Sequence, residues 1–102
     1  MSNAVYYVSY KLKKEASIPD FLAAAEKLNN EVISKYKGYI SWEQLVDGDT
    51  WVDFLTFETM DDLKNFKKAS RNPGETAKKF YSFLNLSPKV CKSHNFSVER
   101  SY

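Results

Sequence analysis

Apolar and polar positions alternate along the chain in two rhythms, one of strands and one of helices. Val5 to Leu12 (VYYVSYKL) is dense in β-branched and aromatic residues and contains no Gly or Pro, which predicts a strand. Ser17-Ile18-Pro19-Asp20 then predicts a helix start. Ser17 is a capping residue, Pro19 suits a first turn, and the Asp20 carboxylate meets the positive helix end. Phe21, Leu22, Ala25, Leu28, Val32, Ile33 and Tyr36 follow at steps of three and four, one apolar stripe, before Gly38 supplies a left-handed stop. Tyr39 to Val46 and Trp51 to Phe57 are predicted strands, joined by a tight hairpin at Asp47-Gly48-Asp49-Thr50. Thr59 with Asp62 caps a second helix whose Leu63 and Phe66 face inward and whose Lys64, Lys67 and Lys68 face water. Asn72-Pro73-Gly74 breaks that helix. From Glu75 a further helix puts Ala77, Phe80, Tyr81 and Leu84 on one side, and Val90 to Glu99 reads as the last strand.

The order strand, helix, strand, strand, broken helix, strand is the ferredoxin-like βαββαβ pattern of the α+β class, a four-stranded antiparallel sheet with its helices on one face. A single domain over residues 5–99 is expected, with residues 1–4 and 100–102 as flexible termini. The strands carry rings or aliphatics at both parities, as in Val5 and Tyr7 against Tyr6, Val8 and Tyr10. Helices cover one sheet face only, so the other face calls for a partner, most simply a second copy of the chain. A homodimer is the expectation.

Composition narrows the classes. The chain has 102 residues, enough for one core, and its net charge of +2 gives no field that argues for nucleic acid. Binding of single strands on the sheet would need one bare sheet face, against the two-sided apolar strands. The single cysteine, Cys91, leaves no internal disulfide and no CxxC pair, which favours a reducing compartment. No run of 18 apolar residues and no basic segment followed by an apolar stretch occurs, so neither a membrane nor export is expected, and a cytoplasmic location is. Three glycines in all leave no phosphate-cradling loop. The aromatic share of 16% is high for so small a body, so some of that ring surface is expected to cover a ligand or a second chain.

Several spaced residues carry a likeness to a known group: Trp51-Val52-Asp53, Phe57, Met60-Asp61-Asp62-Leu63, Phe83 and Leu86 before Ser87-Pro88, and His94. Through them the chain resembles, over roughly Val5 to Val98, the antibiotic biosynthesis monooxygenase-like proteins of the dimeric α+β barrel superfamily. The resemblance implies pairing as a dimeric α+β barrel, binding of a small aromatic or apolar molecule, and a monooxygenase (oxidoreductase) activity with no cofactor and no metal. The superfamily also holds heme-degrading enzymes, small isomerases and dismutases, so fold alone does not choose the activity. The heme-degrading branch takes an axial histidine from the second helix, and Thr59 to Leu84 contains none, which disfavours heme.

Alternate strand positions share a face. Trp51, Asp53, Leu55 and Phe57 therefore lie together on one strand, and Val90, Lys92, His94, Phe96 and Val98 on another. In the resembled proteins the first strand runs between them, and its Tyr7 and Ser9 are taken to share that face. Asn29 is the polar interruption of the helical stripe. Trp51, Asp53, Tyr7, Asn29 and His94 are thus the candidate lining of one aromatic cavity. His94 would act as base, Asp53 as its orienter or as an alternative base, Trp51 as a stacking wall, and Asn29 and Tyr7 as donors to a developing oxyanion. Each residue also has a structural reading: a satisfied strand histidine, a carboxylate bonded to a loop or to ring donors, core rings, an amide at the edge of a stripe. A non-catalytic small-molecule-binding or interaction protein of the same fold is the alternative. The basic cluster Lys64, Lys67, Lys68, Arg71, Lys78 and Lys79 reads as a solvated face, or as an attractor of anionic substrate.

Overall fold

The computed structural model describes residues 2–102. Strand β1 (Ala4–Leu12) leads to helix α1 (Ile18–Glu31), a short 3-10 turn (Ile33–Lys35), strands β2 (Tyr39–Asp47) and β3 (Thr50–Phe57), helices α2 (Met60–Ala69) and α3 (Glu75–Tyr81), and strands β4 (Leu84–Asn85) and β5 (Lys92–Ser97). Among the described residues no helix is long and apolar enough to cross a membrane.

The starts and stops follow local chemistry. Ser17 Oγ accepts from the Asp20 N–H at 3.3 Å, and Thr59 Oγ1 accepts from the Asp62 N–H at 3.1 Å, so both predicted caps form. Gly38 has the expected left-handed φ of 82 but is not the helix stop: α1 ends at Glu31 and the 3-10 segment at Lys35, and Gly38 makes the turn into β2. A Cβ there would also run into the buried Asp62 side chain, so both backbone and space demand glycine. Gly38→Ala is expected to lower stability by about 2 kcal/mol or more, read as a fall in the urea midpoint. A loss under about 0.5 kcal/mol would show that the Gly38–Asp62 approach is not tight. At the hairpin Gly48 has φ 61 and Asp49 does not have a positive φ, the arrangement in which glycine takes the first central position of a two-residue turn.

All strand pairs are antiparallel, with β2, β3 and β1 side by side. On its other edge β1 pairs twice: with β5 over Ala4 to Ser9 and with β4 over Lys11 and Leu12. The expected last strand is therefore divided. Asn85 Oδ1 accepts from Ser87 N–H, and Ser87 O accepts from the N–H groups of Val90 and Cys91, a turn that replaces the start of the strand expected at Val90. Leu84, expected on the last helix, is a buried residue of β4, because that helix stops at Tyr81. The sheet begins one residue earlier than the expected domain. Ala4 is 0% exposed, and Asn3 O accepts from Val98 N–H at 2.9 Å. Residue 1 of the expected flexible N-terminal segment lies outside the described residues.

The helices cover one face of this ferredoxin-like sheet. Phe21, fully buried, stacks on Phe80 at 5.3 Å and meets Trp51 edge-on at 5.2 Å, locking α1 and α3 to β3. Phe66 of α2 packs on Phe57 at 5.2 Å and on Tyr36 at 5.1 Å. Leu22, placed by periodicity in the stripe, is 41% exposed, whereas Ala24 is buried. On the other face Tyr7, His94 and Phe96 form a ring cluster, with His94 stacked on Phe96 at 5.4 Å.

Candidate active site

Register decides which residues meet between helices and sheet. Val8 pairs with Asp53, Tyr6 with Leu55 and Tyr10 with Trp51, so the even positions of β1 share the helix-covered face with the odd positions of β3. Gln44 lies opposite Asp53 on β2, and Trp42 opposite Leu55. A cavity of about 370 Å³ opens there, at the small end of ligand pockets. Its sheet wall holds Tyr6, Val8, Tyr10, Trp42, Asp53 and Leu55; its helix wall holds Leu28, Ile33, Phe66, Phe80 and Tyr81. Lys67, Ser70 and Arg71 line it from the end of α2, and Leu84, Leu86 and Cys91 from the interrupted last strand.

Asp53 is the polar centre of this apolar chamber. Tyr10 Oη donates to Asp53 Oδ1 at 2.7 Å. Burial raises the Asp53 pKa from 3.8 to about 6, against the pull of the Tyr10 hydrogen bond and of the nearby Trp42 and Gln44 donors. Those two donors stop short of hydrogen-bond geometry, and Trp42 Nε1 and Gln44 Nε2 are buried without a partner. A buried N–H left unpaired costs about 1–3 kcal/mol, and both groups stand close enough to Asp53 to favour its charged form. The phenols of Tyr6 and Tyr81 are raised by burial, and the Cys91 thiol is raised by burial and then by Asp53, so each is held in its protonated form near neutral pH. Such a site is equipped to take a proton from a bound molecule at Asp53. Among the described residues no group of three or more His, Cys, Asp or Glu side chains is placed to hold a metal ion.

The five residues singled out in the sequence do not share one cavity. Asp53 lines it. Trp51 sits on the same face of β3 but is buried against Phe21 in the core. Asn29 Oδ1 accepts from Tyr39 Oη at 2.9 Å and does not line the cavity. Tyr7 and His94 do face each other, as cross-strand partners, but on the opposite side of the sheet. The error is one of parity: a shift of one residue along β1 moves every side chain to the other face. Tyr6, Val8, Tyr10 and Leu12 are apolar or aromatic throughout, while Val5, Tyr7, Ser9 and Lys11 turn polar, and that contrast was the available signal for the inner face. Tyr10 was thereby missed as the partner of Asp53. Trp42 and Gln44 carried no signal without the β2–β3 register.

No family model matches the sequence, and no curated protein matches it. Solved structures do. SnoaB, a cofactor-independent oxygenase from Streptomyces nogalater, is 10% identical, with 99% of this chain and 97% of that one covered at a TM-score of 0.74. The monooxygenase ActVA-Orf6 of Streptomyces coelicolor, in complex with nanaomycin D, is 14% identical, covering 99% and 91% at a TM-score of 0.66. A dimeric protein of unknown function and ferredoxin-like fold from Bacteroides fragilis is 15% identical, covering 94% and 96% at a TM-score of 0.60. Across these structures the likeness is one of fold, and this chain shares with them the ferredoxin-like α+β arrangement of an antiparallel sheet with helices on one face.

Proposed function

We propose that this protein is a cofactor-independent monooxygenase acting on a small aromatic molecule, with Asp53 as its base. One observation carries the reading: a carboxylate whose pKa burial raises to about 6 stands in an aromatic cavity, held by the Tyr10 hydroxyl. Asp53 takes a proton from an acidified ring CH₂ or phenol, and the carbanion or phenolate that results gives electrons to molecular oxygen directly. When a CH₂ becomes a carbonyl, the substrate supplies four electrons, one oxygen atom enters the product and the other leaves as water, so no external reductant is required. The surrounding rings exclude water from the reacting atoms.

The probe for this reaction is 1,8-dihydroxyanthrone, with uptake of oxygen followed by electrode. Turnover above the uncatalysed rate that disappears in Asp53→Asn is the expected result. Binding of the anthrone without any oxygen uptake would leave a non-catalytic binding protein in its place.

The same proposal includes a homodimer formed through the sheet face that the helices leave bare. Phe96, 50% exposed, and Leu45, 48% exposed, stand on that face with Tyr7 and His94, an apolar patch of the kind that marks an interface. The dimeric ferredoxin-like neighbour supports the reading. Light scattering at micromolar concentration is expected to give twice the mass of one chain. Phe96→Asp is expected to give monomers with unchanged far-ultraviolet circular dichroism. A wild-type monomer would overturn the dimer.

A further inference from the structure

The basic cluster of the second helix divides in the structure. Lys64 and Lys68 are exposed to solvent, whereas Lys67 and Arg71, four residues apart, both line the cavity. Lys67 is fixed there: its Nζ donates to Asn95 Oδ1 at 3.1 Å and stands 4.9 Å above the centroid of the Tyr6 ring. Among the described residues the ion pairs are Lys11 with Asp49 and Lys78 with Glu75, so neither Lys67 nor Arg71 is neutralised by a carboxylate. A single opposite charge lines the cavity, Asp53. Asp53 sits opposite Val8, and Tyr6, beneath Lys67, is two residues back along β1, about 7 Å away. The cavity therefore has cationic side chains at its solvent side, where Arg71 and Leu86 are exposed, and one acidic group within.

We propose that the cavity selects small aromatic acids, held with the carboxylate on Lys67 and Arg71 and the ring directed past Tyr6 and Leu55 toward Asp53. A carboxylate placed at the inner end would meet the Asp53 charge, so the two ends together impose one orientation. Lys67 needs no new ordering to receive the acid, because Tyr6 and Asn95 already hold it. The volume of about 370 Å³ suits one or two rings. This inference rests on the cavity assigned above as the substrate site, and it adds the chemical class of the substrate.

The test uses 2-naphthoate and its neutral counterpart 2-naphthalenemethanol, titrated by calorimetry into the full chain at pH 7.5. The expected result is at least about tenfold tighter binding of the acid, the effect of one charge-assisted contact. Lys67→Gln is expected to remove that preference, weakening the acid at least about tenfold more than the alcohol, and Lys67→Arg to restore most of it. Arg71→Gln, at an exposed position that places no demand on folding, is expected to weaken the acid more than the alcohol. Added salt should likewise weaken the acid and spare the alcohol. Equal binding of acid and alcohol by the wild-type protein, or an acid preference that survives both neutralising substitutions, would overturn the proposal. Failure of oxygen uptake with 1,8-dihydroxyanthrone would remove the oxygenase reading but leave the acid preference standing. Anthrone turnover with no acid preference would do the reverse.

Discussion

Asp53→Asn is expected to cut the oxygenation of 1,8-dihydroxyanthrone by at least about 100-fold, the usual contribution of a positioned base, while making the protein harder to unfold at pH 8. Both effects have the same origin. Burial raises Asp53 from 3.8 to about 6, so between those values the folded chain keeps a proton that the unfolded chain releases. For this group stability is greatest below about pH 4 and declines as the pH climbs through 6. Above that the full penalty of a desolvated carboxylate is present, about 2 kcal/mol once its partial contact with solvent is allowed for. The amide introduced by the substitution keeps an oxygen for Tyr10 and carries no charge. Urea midpoints of variant and wild type should therefore coincide near pH 4 and separate in the variant's favour by pH 8. In the wild type kcat/KM should rise with pH around a midpoint of about 6. Tyr10→Phe removes a hydrogen bond that lowers the Asp53 pKa, and its profile should move to higher pH. Full turnover by Asp53→Asn would show that another group takes the proton.

Phe21→Ala is expected to cost about 3–5 kcal/mol, a large part of the roughly 5–15 kcal/mol that holds a domain of this size together. Phe21 is fully buried and joins three parts of the fold: its own helix, Trp51 and Tyr10 of the sheet, and Phe80 with Phe83 at and beyond the last helix. No neighbour belongs to a flexible loop able to collapse into the space, so most of the cavity would remain. The urea midpoint should fall steeply with little change in slope. Leu22→Ala is the matched control on the adjacent residue of the same helix. Leu22 is 41% exposed, and a change within about 0.5 kcal/mol is expected. Similar losses at both positions would mean that α1 is rotated from the orientation described. Because Phe21 also supports the Tyr10 ring at 6.3 Å, its removal should loosen the hold on Asp53 and lower turnover in the fraction that stays folded.

Much of the fold is legible in the sequence because it is written in local chemistry. Ser17 and Thr59 cap the helices they precede, and the Asn72-Pro73-Gly74 break separates α2 from α3. The hairpin at Gly48 is likewise fixed within a few residues. Leu22 and Ala24 mark where periodicity loses resolution: a stripe is wide enough to admit either, and the partner surface chooses. The site was less legible. Asp53 was identified as a candidate because a carboxylate among strand aromatics is conspicuous, but its surroundings come from other strands. Tyr10, Trp42 and Gln44 reach it only through antiparallel register with β1 and β2, which no local rhythm encodes.

The contrast between Lys67 and its neighbours makes the same point in a different place. Lys64, Lys67, Lys68 and Arg71 look alike in the sequence, three of them on α2 and the fourth two residues past its end. Packing of that helix against β1 turns Lys67 and Arg71 to the cavity and leaves the other two in water. By itself the sequence determined most of the elements and their order, and hence the ferredoxin-like class, but not the division of the last strand into β4 and β5, since caps, breakers and apolar periods act between residues close in the chain. Only the tertiary structure decided which face of β1 is inside, and with it that Tyr10 and not Tyr7 meets Asp53, and that His94 lies across the sheet from the cavity. The physical reason is the two-residue repeat of a strand. When both faces carry rings, as at Tyr6 and Tyr7, the hydrophobic effect separates them only weakly through the polar Ser9 and Lys11, and the register of the neighbouring strands settles which is inside.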